Sequence, residues 1–364
     1  MKKIVALFLA LTLIACAAPA TEAIPPTEEP TPPPVTATAI PPTATLEPQS
    51  FFKVFGEEPI VSKGESGTWD DRYTDPGAVV FYDGIFHMFR NGFRGYPAES
   101  QVGYVTSTDG YTWMKQGADP VFLTKDVPYA KVAMFASSAL VEDDGIWVLY
   151  FYTVDSMNFP ADGVIGRATA PGPNGPWVPD AEPVLRPGSA REWDSRSVIA
   201  PHVIKTEDGY RMYYSGTDGM GGSQIGMATS SDGIQWTKYN DPATTEVKYQ
   251  ESDPVLLLGE KDSWESDQVH QPRVFPNGEG WVMIYRGSNK NKANMGLGIA
   301  SSDDGIHWSK STLNPVFLPT EIKGAYQFWF HNVLLVDDTF FVFIEGDINQ
   351  RTQIYLATYE GGMP

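Results

Sequence analysis

The chain has 364 residues, with 26 Lys and Arg against 45 Asp and Glu, for a formal net charge of −19 at pH 7. A balance this acidic excludes nucleic-acid phosphates and an electrostatic hold on anionic lipid. Its single cysteine excludes internal disulfides and cysteine-based metal sites.

From the start, Met1-Lys2-Lys3 leads into an apolar run over residues 4–15 and then Cys16. The run is too short to span a bilayer, and a basic start before an apolar centre is the pattern of a secretory signal. Leu13-Ile14-Ala15-Cys16 resembles the lipobox of bacterial lipoproteins, which implies acylation of Cys16. Residues 1–15 are therefore expected to be a signal peptide. Residues 16–50, rich in Pro, Thr, Ala and Glu, cannot bury a core and read as a disordered tether. The expected location is the cell envelope, with the membrane touched through the lipid anchor only and the domain a monomer.

Residues 51–364 carry a repeat. Glu58-Pro59-Ile60-Val61 returns as Asp119-Pro120-Val121-Phe122, Glu182-Pro183-Val184-Leu185, Asp253-Pro254-Val255-Leu256 and Asn314-Pro315-Val316-Phe317, with the prolines 61, 63, 71 and 61 residues apart. Each unit holds a tight turn between aromatic-rich runs, such as Phe81-Tyr82-Asp83-Gly84-Ile85-Phe86, the pattern of a hairpin. A second turn follows, as in Ser107-Thr108-Asp109-Gly110-Tyr111-Thr112-Trp113, Ser230-Ser231-Asp232-Gly233-Ile234-Gln235-Trp236 and Ser302-Asp303-Asp304-Gly305-Ile306-His307-Trp308. Four strands per unit predict an all-β, five-bladed propeller. The last unit lacks its fourth strand, while Phe52 precedes Pro59 by the seven residues that separate Trp113 from Pro120. This N-terminal strand is expected to pair into the last blade and close the ring.

Aligned on the hairpins, Asp75, Ala136, Ala200, Gln271 and Phe330 share one inner-strand register, and Gly77, Ser138, His202, Arg273 and Asn332 lie two residues on. Polarity at these positions predicts a wet, lined funnel. Asp75 is the one carboxylate in its ring.

The segment Tyr73-Thr74-Asp75-Pro76-Gly77 resembles the first-blade motif of five-bladed glycoside hydrolases, the arabinanase and β-xylosidase type (family 43) and the invertase and levanase type (family 32). The resemblance extends over all five units and implies that Asp75 is a catalytic base or nucleophile. It also implies a second Asp in the third blade and an acidic Glu in the fourth, where this chain has Ala200-Pro201-His202 and Gln271-Pro272-Arg273. Cleavage needs two carboxyl groups, about 5 Å apart for retention or about 6.5–9.5 Å for inversion.

Glu345, in Phe343-Ile344-Glu345-Gly346-Asp347, is the first candidate for the acid, with a cross-blade ion pair to Arg90 as the structural alternative; Asp267 is the second candidate. Asp70, Asp194 and Glu265 recur in Trp-acid motifs and read as structural corners. Arg90, Ser138, His202, Gln271, Arg273, Arg286, Trp329 and His331 are expected to hold a sugar. The arginines also suit a uronate or phosphate. Phe93, Tyr96 and Phe159 are candidates for a sugar platform at the rim. His202, His270 and His331 come from separate blades without a local ligand pair, so neither a metal nor a cofactor is expected. The Ser-x-Asp-Gly-x-x-Trp turns resemble the Asp boxes of sialidases and read as turn chemistry. The sequence thus points to a glycosidase acting on external oligo- or polysaccharide. A non-catalytic carbohydrate-binding lipoprotein and a glycoside phosphorylase are the alternatives.

Overall fold

The computed structural model describes residues 51–364 apart from 96–98, 159–160, 221 and 291–294. The expected signal peptide, Cys16 and the tether lie outside the described residues, as do Tyr96 and Phe159. Among the described residues the only helices are three short 3-10 turns.

β1 (Lys53–Val54) precedes four meanders. The first is β2 (Tyr73–Tyr82), β3 (Ile85–Phe93), β4 (Gln101–Ser107) and β5 (Met114–Lys115), with β6 (Phe122–Leu123) also pairing β4. The second is β7 (Ala133–Val141), β8 (Trp147–Val154), β9 (Gly163–Ala170) and β10 (Val178–Pro179). The third is β11 (Ser197–Thr206), β12 (Gly209–Thr217), β13 (Gln224–Ser230) and β14 (Thr237–Lys238), with β15 (Pro254–Leu256) on β13. The fourth is β16 (Gln268–Asn277), β17 (Gly280–Ser288), β18 (Gly296–Ser302) and β19 (Ser309–Lys310). Then come β20 (His331–Val336), β21 (Thr339–Asp347) and β22 (Thr352–Glu360), and β1 pairs along β22 through Lys53↔Thr358 and Val54↔Ala357. A parallel contact of Ser197 with Gly163 joins the second and third meanders, so the strands form four hydrogen-bonded sheets, one of nine strands.

Local chemistry explains the meanders. The β2–β3 and β20–β21 hairpins turn through Asp83-Gly84 and Asp337-Asp338, all four at positive φ, as two-residue turns matched to strand twist require. In each second turn the Asp carboxylate accepts two backbone amides: Asp109 Oδ1 takes those of Tyr111 (2.8 Å) and Thr112 (2.7 Å), and Asp232 and Asp304 do the same. The turn's Trp then donates its indole N–H to the Gly carbonyl. These carboxylates are engaged in holding the turn.

The Trp-acid corners are structural too. The ring of Trp69 lies on Gly92, where a Cβ would come within 2.6 Å of it, and Trp193 and Trp264 cover Gly216 and Gly287 in the same way. The carboxylates beside them are consumed locally. Asp194 takes Lys238 (2.6 Å) and the Tyr214 hydroxyl (3.1 Å), and Glu265 takes Lys310 (2.9 Å) and Tyr285 (2.8 Å).

The inner strands depart from a regular pleat. Register shifts fall between Asp75 and Ala78, Ala136 and Ser138, Ile199 and His202, and His270 and Arg273. Ala200 and Gln271, each followed by Pro, sit at φ of 53° and 54°. The strict two-residue alternation expected from the sequence therefore breaks there.

The polar ring also does more than line a cavity: its side chains bind backbone groups of the neighbouring inner strands. Asn91 accepts the Ala136 amide (2.8 Å) and donates to its carbonyl (3.2 Å), and Ser138 Oγ accepts the Val203 amide (3.0 Å). His202 Nδ1 accepts the Val274 amide (3.0 Å), and Gln271 accepts the His331 amide (3.3 Å) and donates to the Trp329 carbonyl (2.8 Å). Asn332 Nδ2 donates to the carbonyls of Ser137 (3.0 Å) and Gly77. Each inner strand is thereby stapled to the next, and Asn332 ties the last sheet to the first. Inner strands converge without forming ladders, so their free backbone groups take side-chain partners instead. Asn332→Ala is expected to lower stability by about 2 kcal/mol, read from the urea midpoint, by orphaning both carbonyls. An unchanged midpoint would show that the staple contributes nothing.

Candidate active site

Asp75 lies on β2 just before its bulge, and Glu345 lies near the end of β21, so the two acids come from the first and last sheets. They are 1% and 3% exposed. Asp75 Oδ1 accepts the Asn91 side-chain amide at 2.9 Å. Glu345 Oε2 accepts the backbone amides of Trp329 (2.9 Å) and Phe330 (2.8 Å). Burial pushes Asp75 up to about 7, against the Asn91 hydrogen bond and the charge of Arg90. Glu345 is pushed well above the usual carboxylate range by burial first and by the charge of Asp75 second. Two carboxyl groups thus share the site, both raised by burial, and the charge of one adds to the proton affinity of the other.

Around them stand groups of opposite kind. Arg286 on β17 is 3% exposed, donates to Gln268 (3.1 Å) and lies 5.4 Å from the ring centre of Trp329. Burial lowers it to about 10, against the pull of Glu345 and Tyr152. Arg273, on β16 beyond the bulge, donates to the Pro272 carbonyl (2.7 Å) and Ser137 Oγ (3.3 Å), and burial lowers it to about 9. His270 and His331 are driven well below their usual range, by burial first and the two arginines after, so both are neutral at pH 7. Gln271 is used in its bridge to β20. Trp329 is half-buried and contributes its amide to Glu345.

Tyr152 on β8 belongs to the same group and the sequence did not single it out. Its phenol is pushed up by burial first, then by Asp75, with Arg286 and Arg273 opposing. The aromatic run Trp147-Val148-Leu149-Tyr150-Phe151-Tyr152 reads as core throughout, and no local signal separates its last residue.

Four sequence-predicted residues are engaged by other groups. Arg90 makes no ion pair with Glu345: its guanidinium is held by Asp70 (2.6 Å) and Thr74 Oγ1 (2.9 Å), 4.9 Å from the ring centre of Trp69. The corner acid on its own sheet is simply nearer. Ser138 and His202 staple inner strands and line a cavity of about 410 Å³ with Val79, Phe275 and Leu335, at the far end of those strands from Asp75. Asp267 is half-buried just ahead of β16, its backbone bound to Ser223 and Ser288. Asp70→Ala is expected to cost about 3–5 kcal/mol in chemical denaturation, because it leaves the Arg90 guanidinium buried without its carboxylate. A loss below about 1 kcal/mol would mean that Arg90 finds solvent.

An aromatic stack covers this end. Tyr73 stacks on Phe93 (4.5 Å), Phe93 meets Phe135 edge-on (6.5 Å), and Phe135 stacks on both Tyr152 (5.3 Å) and Phe330 (5.4 Å). A cavity of about 820 Å³ lies apart from the acids between the second and third meanders, beside Thr153, Asp162, Arg191 and Arg196. Among the described residues no group of three or more His, Cys, Asp and Glu is arranged to hold a metal.

Residues 70–251 match the family described as the glycosyl hydrolases family 32 N-terminal domain. An uncharacterized protein of Mycobacterium tuberculosis is 25% identical over 249 residues, 66% of this chain and 76% of that protein. A structure of a BT0996 complex with RGII superimposes with a TM-score of 0.67 at 16% identity, covering 86% of this chain and 94% of the other. Another comes from work on the GH130 family of mannoside phosphorylases, which contains glycoside hydrolases that target beta-1,2 mannosidic linkages in Candida mannan. It gives a TM-score of 0.66 at 17% identity over 86% of this chain and 96% of its own.

Proposed function

The chain belongs to the glycosyl hydrolases family 32 N-terminal domain family, and from that premise we propose that it cleaves glycosidic bonds in extracellular oligo- or polysaccharide. Asp75 is the base or nucleophile and Glu345 the general acid. The observation that carries this reading is a pair of buried carboxyl groups from the first and last sheets, both raised by burial and Glu345 raised further by the charge of Asp75. Splitting two carboxyls into one ionised and one protonated member is what acid-assisted departure of a sugar alcohol requires. Glu345 delivers its proton to the leaving oxygen, while ionised Asp75 either attacks the anomeric carbon, giving a glycosyl ester that water then hydrolyses, or takes a proton from the water that attacks that carbon. Phe330 and Phe135 supply a face on which a sugar ring stacks as it displaces the cover.

In the same reading the domain is a five-bladed propeller whose ring is closed by β1. It is a monomer exported to the cell envelope and held there by acylated Cys16. Carbohydrate as ligand class is supported by neighbours studied with RGII and with mannoside linkages.

A second reading, a non-catalytic carbohydrate-binding protein, is favoured by the near-complete covering of both carboxyls and by Ala200 and Gln271 where the family pattern implies acids. A panel of aryl glycosides and polysaccharides separates the two. Turnover by the wild type supports cleavage; saturable glycan binding with no product under any condition rejects it.

A further inference from the structure

We propose that the interior beside Asp75 and Glu345 holds an oxyanion, a phosphate or the carboxylate of an acidic sugar, between the guanidinium groups of Arg273 and Arg286. This deepens the reading above and concerns the same site.

The other well-buried cationic side chains of the described residues all have carboxylates. Arg90 has Asp70, Arg167 has Asp180, Lys238 has Asp194 and Lys310 has Glu265. Arg273 and Arg286, 2% and 3% exposed, form no ion pair among the described residues; their hydrogen bonds go to neutral groups. Their Nε atoms and Nδ1 of His270 are buried without partners. Two guanidinium groups removed from water and left without a counter-charge are unfavourable.

The nearest acids do not cancel them. Asp75 and Glu345 are both pushed toward the protonated form, and Asp75 already answers to Asn91. The remaining neighbours, His270, His331 and Tyr152, are neutral hydrogen-bonding groups. A pair of planar forks beside neutral imidazoles suits an acceptor with several oxygens and a negative charge, which guanidinium binds in bidentate fashion. A neutral hydroxyl cannot supply that charge. In a chain of net charge −19, a cationic interior also selects its anion locally, since the surface at large repels it.

The test is calorimetric titration of the wild-type chain with inorganic phosphate, with glucuronate and galacturonate, and with neutral glucose, at matched ionic strength. Saturable binding of phosphate or of a uronate, without binding of glucose, is expected, and which of the two binds identifies the source of the oxyanion. Arg286→Gln should weaken that binding about 30-fold, whereas the surface change Lys323→Gln should leave it unaltered. If Arg286→Gln does not fold, the rise in wild-type Tm with each anion decides, because a ligand of the native state alone must stabilise it. No saturable binding of either oxyanion up to roughly 100 mM overturns the inference, as does binding that survives in a folded Arg286→Gln. Turnover of neutral glycosides that ignores both anions sinks the inference and leaves cleavage standing. Anion binding without any turnover does the reverse.

Discussion

Replacing Asp75 with Asn is expected to lower kcat/KM for glycoside cleavage by about 10,000-fold and, at pH 8, to make the protein more stable. The two effects have one cause. Asp75 is held at about 7, against 3.8 for an ordinary aspartate, chiefly because it is buried. The native state keeps that proton at pH values where the unfolded chain has already released it, so this group's contribution to stability falls as pH rises from about 4 through about 7. Above pH 7 the ionised carboxylate opposes folding by an amount on the order of a few kcal/mol, shared with Glu345. Asn keeps the shape and has no proton to lose. Scanning calorimetry should therefore give the variant a Tm several degrees above wild type at pH 8, and a smaller difference at pH 5.5. Activity follows the same group in the opposite sense: the acid limb of wild-type kcat/KM should turn near pH 7, where Asp75 becomes ionised. A variant that loses stability at pH 8 would show that the carboxylate is paired and structural. Undiminished turnover would remove it from the chemistry.

Glu345→Gln is expected to slow cleavage of glycosides with poor, sugar-like leaving groups by about 100–10,000-fold, and to spare substrates whose leaving group needs no proton. The amide oxygen of Gln can still accept the Trp329 and Phe330 amides that Glu345 Oε2 holds, so the strand end should stay in place. A dinitrophenyl glycoside alongside an unactivated disaccharide reads the difference directly. The alkaline limb of the pH profile, set by loss of the Glu345 proton, should vanish with the substitution. Equal losses on both substrates would mean that the residue positions Trp329 and donates no proton.

The two effects depend on features of unequal legibility. The repeat, the Asp83-Gly84 and Asp337-Asp338 hairpins, the Asp109, Asp232 and Asp304 turns and the pairing of β1 with β22 are all written in short-range pattern. A two-residue turn or a carboxylate that caps amides two and three residues ahead depends only on its neighbours in the chain. The Trp-acid corners belong with them, since each places its ring on a glycine and its acid beside a base of its own meander. Asp75 and Glu345 were legible as individuals, Asp75 as the one carboxylate in its inner-strand register and Glu345 as a carboxylate closing the apolar run Phe343-Ile344.

What they face was not legible. The inner-strand bulges shift the register by amounts that alternation cannot foresee. They turn Ser138 and His202 into staples facing the far cavity, and no local pattern marks Arg273 and Arg286 as lacking carboxylates. Arg90 was read against Glu345 across the ring, yet Asp70 is closer and takes it.

The sequence alone determined the strands, their turns and the place of the first strand, because those answer to neighbours within a few residues. Only the tertiary structure decided which acids share a proton and which cations lack a partner, because burial and distance across converging sheets set those energies, and neither is a property of any one segment.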